Sequence, residues 1–142
     1  MSRLKITLRV DFDAVHSIGP GKIALLEKMR DSGSLSQAAR ELDMSYRRAW
    51  QLLASLNQTF REPLVLTSTG GSGGGGTTLT EFGTEVVTAY RQFEKETNAR
   101  AEKYFGSMIK TVSPQREGVR RSITRTQRSP AAAAAKRAAA AR

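Results

Sequence analysis

The fold is decided by Ser34-Leu35-Ser36-Gln37-Ala38-Ala39-Arg40-Glu41-Leu42-Asp43-Met44-Ser45-Tyr46-Arg47-Arg48-Ala49-Trp50-Gln51-Leu52-Leu53. Ser34 stands where a helix N-cap belongs, Gln37 lies at the capping-box position, and Leu35, Ala38, Ala39 and Leu42 form an apolar stripe. Asp43-Met44 is a brief break. Ser45 is a second N-cap candidate, opening a longer helix that continues to about Phe60. Two helices joined by so short a turn, with small Ala38 and Ala39 permitting a close crossing and serines satisfying orphan amides, have the geometry of a helix-turn-helix.

In such a unit the second helix lies in the major groove of duplex DNA and its N-terminal side chains reach base edges. The helical wheel turns Ala49, Trp50, Leu53 and Leu56 toward the core and Ser45, Arg47, Arg48 and Gln51 away from it. Arg pairs bidentately with guanine and Gln with adenine, each discrimination being worth roughly 1–3 kcal/mol. The bland alternative is that Arg47 and Arg48 only solvate a helix surface; they fall, however, on the face that this unit must present. Trp50, among Leu53, Leu56 and Ala49, reads as core rather than as a base-stacking platform.

Outward from this stretch, Gly19-Pro20-Gly21 punctuates the chain before a helix of about Gly21 to Asp31 that carries Ile23, Leu26 and Met29. Before it, Ile6, Leu8, Val10 and Phe12 alternate with polar residues, the pattern of a half-buried edge or arm strand. Pro63 stops the third helix; Leu64 to Ser68 is a short strand, and Thr77-Thr78-Leu79 a return strand beyond the run Gly70 to Gly76. From Thr80 the apolar series Phe82, Val86, Tyr90, Phe93, Ala101, Tyr104 and Met108 predicts a helix of about 28 residues, roughly 40 Å long. So long a helix with one apolar face asks for a partner, and a homodimer is the economical one.

The chain has 142 residues and a formal net charge of +10, distributed unevenly. Residues 1–112 hold 15 Lys/Arg against 12 Asp/Glu, whereas residues 113–142 hold 8 against 1. The expected organisation is a DNA-binding and dimerisation domain over 1–112 and a disordered basic Ala/Arg-rich tail over 113–142, poor in large apolar residues. The tail is either a solubilising terminus or a sequence-independent phosphate-binding arm. Cysteine is absent, which removes disulfides, thiolate metal sites and cysteine nucleophiles. No apolar run approaches the roughly 18–20 residues of a membrane span, so a cytoplasmic, nucleoid-associated protein without a membrane partner is expected.

The sequence also resembles a known family. Residues Ser34 to Ser45 are similar to the helix-turn-helix of LysR-type regulators. More specifically, Ser45-Tyr46-Arg47-Arg48-Ala49-Trp50, the glycine run and Leu79-Thr80-Glu81-Phe82-Gly83, in this order, resemble the N-terminal DNA-binding domain of ModE-type molybdate-responsive regulators. The likeness covers about Leu4 to Phe105. It implies a mainly α fold with a small β component, a winged helix-turn-helix that dimerises through its long C-terminal helix and binds a palindromic operator. Full-length members carry C-terminal molybdate-binding domains; the basic tail stands in that place here, which makes molybdate binding by this chain doubtful.

The expected DNA contacts follow. Ser36 and Gln37 clamp phosphate at the start of the second helix; Ser45, Tyr46, Arg47, Arg48 and Gln51 meet bases or adjacent phosphates; Thr67, Thr69, Gly71, Gly73, Gly74 and Thr77 form the backbone-gripping wing. Gly71 to Gly76 also satisfies G-x-G-x-x-G, but no second parallel strand follows and no P-loop lysine is present, so the nucleotide match is read as accidental. His16, the single histidine, reads as a surface or loop residue, and the helix glutamates as solvated or ion-paired. No catalytic constellation, metal site or cofactor is expected. The reading is a sequence-specific double-stranded DNA-binding transcription regulator, with an architectural nucleoid protein driven by the tail as the rival.

Overall fold

The computed structural model describes residues 4–68 and 76–114. The chain divides into two compact units, residues 1–109 and 110–142. Of the second, only residues 110–114 are described, so the expected tail lies almost wholly outside the described residues. In chain order the elements are β1 (Val10–Asp11), β2 (Ser17–Ile18), α1 (Pro20–Ser32), α2 (Leu35–Glu41), α3 (Tyr46–Thr59), β3 (Val65–Ser68), β4 (Gly76–Leu79) and α4 (Glu81–Phe105), followed by a 3-10 segment, Gly106–Thr111. This is a mainly α winged helix-turn-helix with a long C-terminal helix.

Punctuation residues place the boundaries. Pro20 occupies the first turn of α1, where its missing N–H is no loss. Gly33 ends α1 in the left-handed region at φ 67° and donates its N–H to the Met29 carbonyl at 2.7 Å. The α2–α3 turn is closed by Asp43, at φ 52°, and by Met44 N–H donating to the Ala39 carbonyl at 3.0 Å. Ile23, Leu25, Leu26 and Met29 of α1 pack with Leu35, Ala38 and Ala39 of α2 and with Ala49, Leu53 and Leu56 of α3 into one core, which Leu64, Val65, Val87 and Tyr90 complete.

The expected strand over Ile6 to Phe12 is only partly formed. Its alternating burial persists from Leu4 to Val10, but only Val10 and Asp11 pair with another strand, opposite Ile18 and Ser17. The rest lies along α4 and is held by side chains: Ile6 N–H donates to Asn98 Oδ1 at 2.9 Å, and the Tyr90 hydroxyl donates to the Leu8 carbonyl at 2.9 Å. The period-two pattern reports one-sided burial, which these anchors achieve without a ladder.

β3 and β4 pair antiparallel from Val65 opposite Leu79 to Ser68 opposite Gly76. The base of this pair is tied at Leu64. Asn57 of α3 accepts there from Leu64 N–H at 3.0 Å, and Leu64's own carbonyl accepts from Thr80 N–H at 2.9 Å. Thr80 caps α4 by accepting from Gly83 N–H at 2.9 Å, while its hydroxyl donates to the Pro63 carbonyl at 2.8 Å. A Cβ on Gly83 would run into the Leu64 carbonyl oxygen and lie 3.1 Å from its carbon, so the close seat of α4 on the wing base requires glycine. Gly83→Ala should therefore destabilise the chain by about 1–3 kcal/mol or more, read as a lower urea midpoint at unchanged slope.

Candidate nucleic-acid interface

The two serine caps form as the spacing predicts. Ser34 Oγ accepts from Gln37 N–H at 3.2 Å, and Ser45 Oγ accepts from Arg48 N–H at 3.0 Å. The capping box at α2 is only half made. Ser34 N–H donates to Ser32 Oγ at 3.3 Å, and the Gln37 side-chain carbonyl accepts from Arg40 at 2.9 Å. Gln37 is thus held along α2 beside the exposed Ser36.

Burial of Ala49, Leu53 and Leu56 sets the rotation of α3. Tyr46, Arg47, Arg48 and Gln51 are consequently exposed along its first two turns. Among the described residues neither Arg47 nor Arg48 pairs with a carboxylate, whereas Arg9, Arg30 and Arg91 all do. The difference follows from placement. Arg91 bridges Glu27 of α1 and Glu94 of α4, an internal brace that raises its already high pKa through hydrogen bonds to both carboxylates.

A third cation reinforces this face. Lys22 Nζ donates to the Ser17 carbonyl at 2.8 Å and to Ser55 Oγ on α3 at 2.9 Å, with no carboxylate partner among the described residues. Burial, together with the charges of Arg9 and Arg48, holds its ammonium below the usual lysine range. The region between the N-terminal end of α1 and α3 is therefore a concentration of positive charge. Lys22 carried no distinguishing mark in the sequence, because what brings it to Arg48 is the α1–α3 crossing.

On the opposite flank a cleft of about 240 Å³ separates the helix-turn-helix from the wing, lined by Ser34, Ser36, Tyr46, Trp50, Thr67, Ser68 and Thr77 among others. Two expectations change here. Trp50 is not core but 51% exposed, its indole N–H donating to the Tyr46 hydroxyl at 3.1 Å. Successive helix residues are about 100° apart, so Trp50 falls on the rim of the buried seam, about 60° from Arg47. The usable signal was Tyr46 four residues earlier, a hydroxyl within reach of an indole N–H on the same face.

The second change concerns Thr77, which is only 7% exposed and has its Oγ1 enclosed without a hydrogen-bond partner, while its N–H donates to the Gly33 carbonyl at 2.9 Å. Strand alternation turns Thr77 inward and leaves Thr78 exposed, so Thr77 is a wall of the cleft and not a surface donor on the wing. Thr67 is exposed as expected. Thr69, Gly71, Gly73 and Gly74 lie outside the described residues. His16 lies in the β1–β2 connection, its Nδ1 at 2.6 Å from Asp13 Oδ2, and no metal-binding cluster occurs among the described residues.

This geometry coincides with a likeness to a known family over part of the chain. Residues 21–84 match the bacterial regulatory helix-turn-helix protein, lysR family. Among the relatives it resembles are several ModE proteins. The chain is 36% identical over 95 residues to the molybdenum transport protein ModE of Azotobacter vinelandii, covering 67% of this chain and 35% of that protein. It is 33% identical over 95 residues to the transcriptional regulator ModE of Haemophilus influenzae, covering 67% and 37%. It is 41% identical over 71 residues to the DNA-binding transcriptional dual regulator ModE of Escherichia coli K12, covering 50% and 27%. This chain thus spans about a third of the length of these relatives.

The caps make a prediction independent of any ligand. Ser45→Ala removes the α3 cap and should cost about 0.5–2 kcal/mol of stability, with Ser45→Asp restoring most of it, as measured by thermal or urea unfolding.

Proposed function

We propose that this chain is a sequence-specific double-stranded DNA-binding transcription regulator that acts as a homodimer, with α3 in the major groove. The observation that carries the proposal is the outward face of α3: Arg47, Arg48 and Gln51 stand exposed on a helix whose rotation is locked by its buried seam, and neither arginine is neutralised within the described residues. Such guanidiniums fit guanine O6 and N7, and the Gln51 amide fits adenine N6 and N7. Ser36, Gln37, Ser45 and Tyr46 lie where a helix-turn-helix meets the adjoining phosphates, and Lys22 of α1 adds a positive charge near Arg48. Thr67, with Thr69, Gly71, Gly73 and Gly74 beyond the described residues, supplies the wing on the flanking backbone. The names of the relatives, two of them regulators and one explicitly DNA-binding, support the same reading.

Dimerisation is supported by what one chain leaves uncovered. Phe12, Phe60 and Phe82 stack edge to face at 5.2 and 5.3 Å beside Val86 and Phe93, around an apolar hollow of about 340 Å³. Phe12, Phe93, Tyr104 and Phe105 are exposed large hydrophobics. A second copy laid along α4 would cover them and set two α3 helices at the half-site spacing of a palindrome, about 34–36 Å or a multiple. Sedimentation at micromolar concentration should give a dimer and Phe93→Glu a monomer; a wild-type monomer would remove this part of the proposal.

The residues from 113 onward are proposed as a separate basic arm that adds affinity without base preference. After selection of duplexes from a random pool, Arg47→Ala should erode discrimination between selected and random DNA by about 1–3 kcal/mol. Deleting residues 113–142 should instead weaken both alike and flatten the dependence on salt. If the deletion abolished binding and Arg47→Ala left discrimination intact, the rival architectural reading would replace this one.

A further inference from the structure

The Tyr46–Trp50 pair has a surface that the proposed arginine and glutamine contacts leave unused. Trp50 is 51% exposed and Tyr46 53% exposed, one turn apart on the DNA-facing half of α3. The hydrogen bond from the indole N–H to the Tyr46 hydroxyl, 3.1 Å, occupies the only side-chain donor of Trp50. What the indole still offers outward is apolar ring. Its position is also constrained, because it borders the cleft whose far wall carries the hydroxyls of Thr67 and Ser68 on the wing. A nucleic-acid strand entering this cleft would meet polar groups on the wing side and an aromatic edge on the helix side.

On the base edges of the major groove the apolar feature is the C5-methyl group of thymine; every other recognition feature there is a hydrogen-bond donor or acceptor. An exposed side chain on a major-groove helix whose polar atom is already satisfied finds its favourable base-edge contact in that methyl. We propose that Trp50 is a thymine-reading residue, its indole edge packed against the C5-methyl of one thymine per half-site, and that Tyr46 is a positioning residue that holds the indole at that angle. This rests on the DNA-binding function proposed above and adds a specificity determinant that the arginines and Gln51 do not supply. The magnitude is that of one buried methyl group, about three- to fivefold in affinity.

Trp50 is the chain's single tryptophan, so emission reports on it alone. The test uses the full chain and its best duplex from random-pool selection. Each thymine is replaced in turn by deoxyuridine, which removes the methyl and keeps the Watson–Crick pairing. Wild type should lose about three- to fivefold at one thymine per half-site, and the duplex should shield Trp50 from acrylamide quenching. In Trp50→Ala the same uracil substitution should cost nothing further, and Tyr46→Phe, which loses the hydroxyl alone, should weaken that uracil effect. Uracil scanning that is silent in wild type, or equally costly in Trp50→Ala, overturns thymine reading while leaving the DNA-binding function standing. Should Trp50→Ala not fold, the wild-type scan and the quenching decide the matter. Failure to select any duplex overturns the proposed function, and this inference with it.

Discussion

The rotation of α3 about its own axis is fixed by Ala49, Leu53 and Leu56, and everything asked of the outward face depends on it. Because helix residues advance about 100° each, turning this seam by one residue would bury arginine and expose leucine. The seam holds because α1 and α2 close over it with Ile23, Leu26, Ala38 and Ala39 fully or almost fully buried. Burial of a large aliphatic side chain is worth about 1.5–3 kcal/mol, so this small core specifies orientation strongly. Short alanines at the α2 crossing matter as much as the leucines, since a longer side chain there would push α3 away.

The wing is registered to that same body through Leu64 and Gly33. Asn57, Thr80 and Gly83 gather the end of α3, the start of β3 and the start of α4 around one residue, Leu64, while the Gly33 carbonyl at the end of α1 receives the β4 backbone. The cleft between helix and wing is a product of these two ties. Arg91 joins α1 to α4 through Glu27 and Glu94, whereas Arg47, Arg48 and Lys22 have no carboxylate partner among the described residues.

Much of this is legible in the sequence where backbone chemistry is local. Ser34 and Ser45 mark helix starts by accepting from amides three residues on, Pro20 and Gly33 mark boundaries through their own missing N–H or dihedral angle, and the helix starts follow within a residue or so. Less legible is what depends on a neighbour distant in sequence. The alternation of Ile6 to Phe12 announces one buried side but not that Asn98 and Tyr90 would supply it in place of a strand. Trp50 is hydrophobic enough to pass for core, and the position of the seam, with Tyr46 one turn earlier, decides otherwise. Thr77 carries the same ambiguity, since its sequence neighbourhood resembles a solvated hairpin until β4 is laid against α1. Lys22 acquires its role only when α1 and α3 cross.

The proposed function requires the outward face of α3 to meet base edges in the major groove at a preferred sequence. Dimethyl sulfate probing of the chain bound to its selected duplex tests this most directly, because the reagent methylates guanine N7 in the major groove and adenine N3 in the minor groove. The account predicts protection of guanine N7 in two half-sites on one face of the duplex, with adenine N3 left reactive between them. Protection confined to adenine N3, or none at any guanine N7 of the selected site, would contradict it.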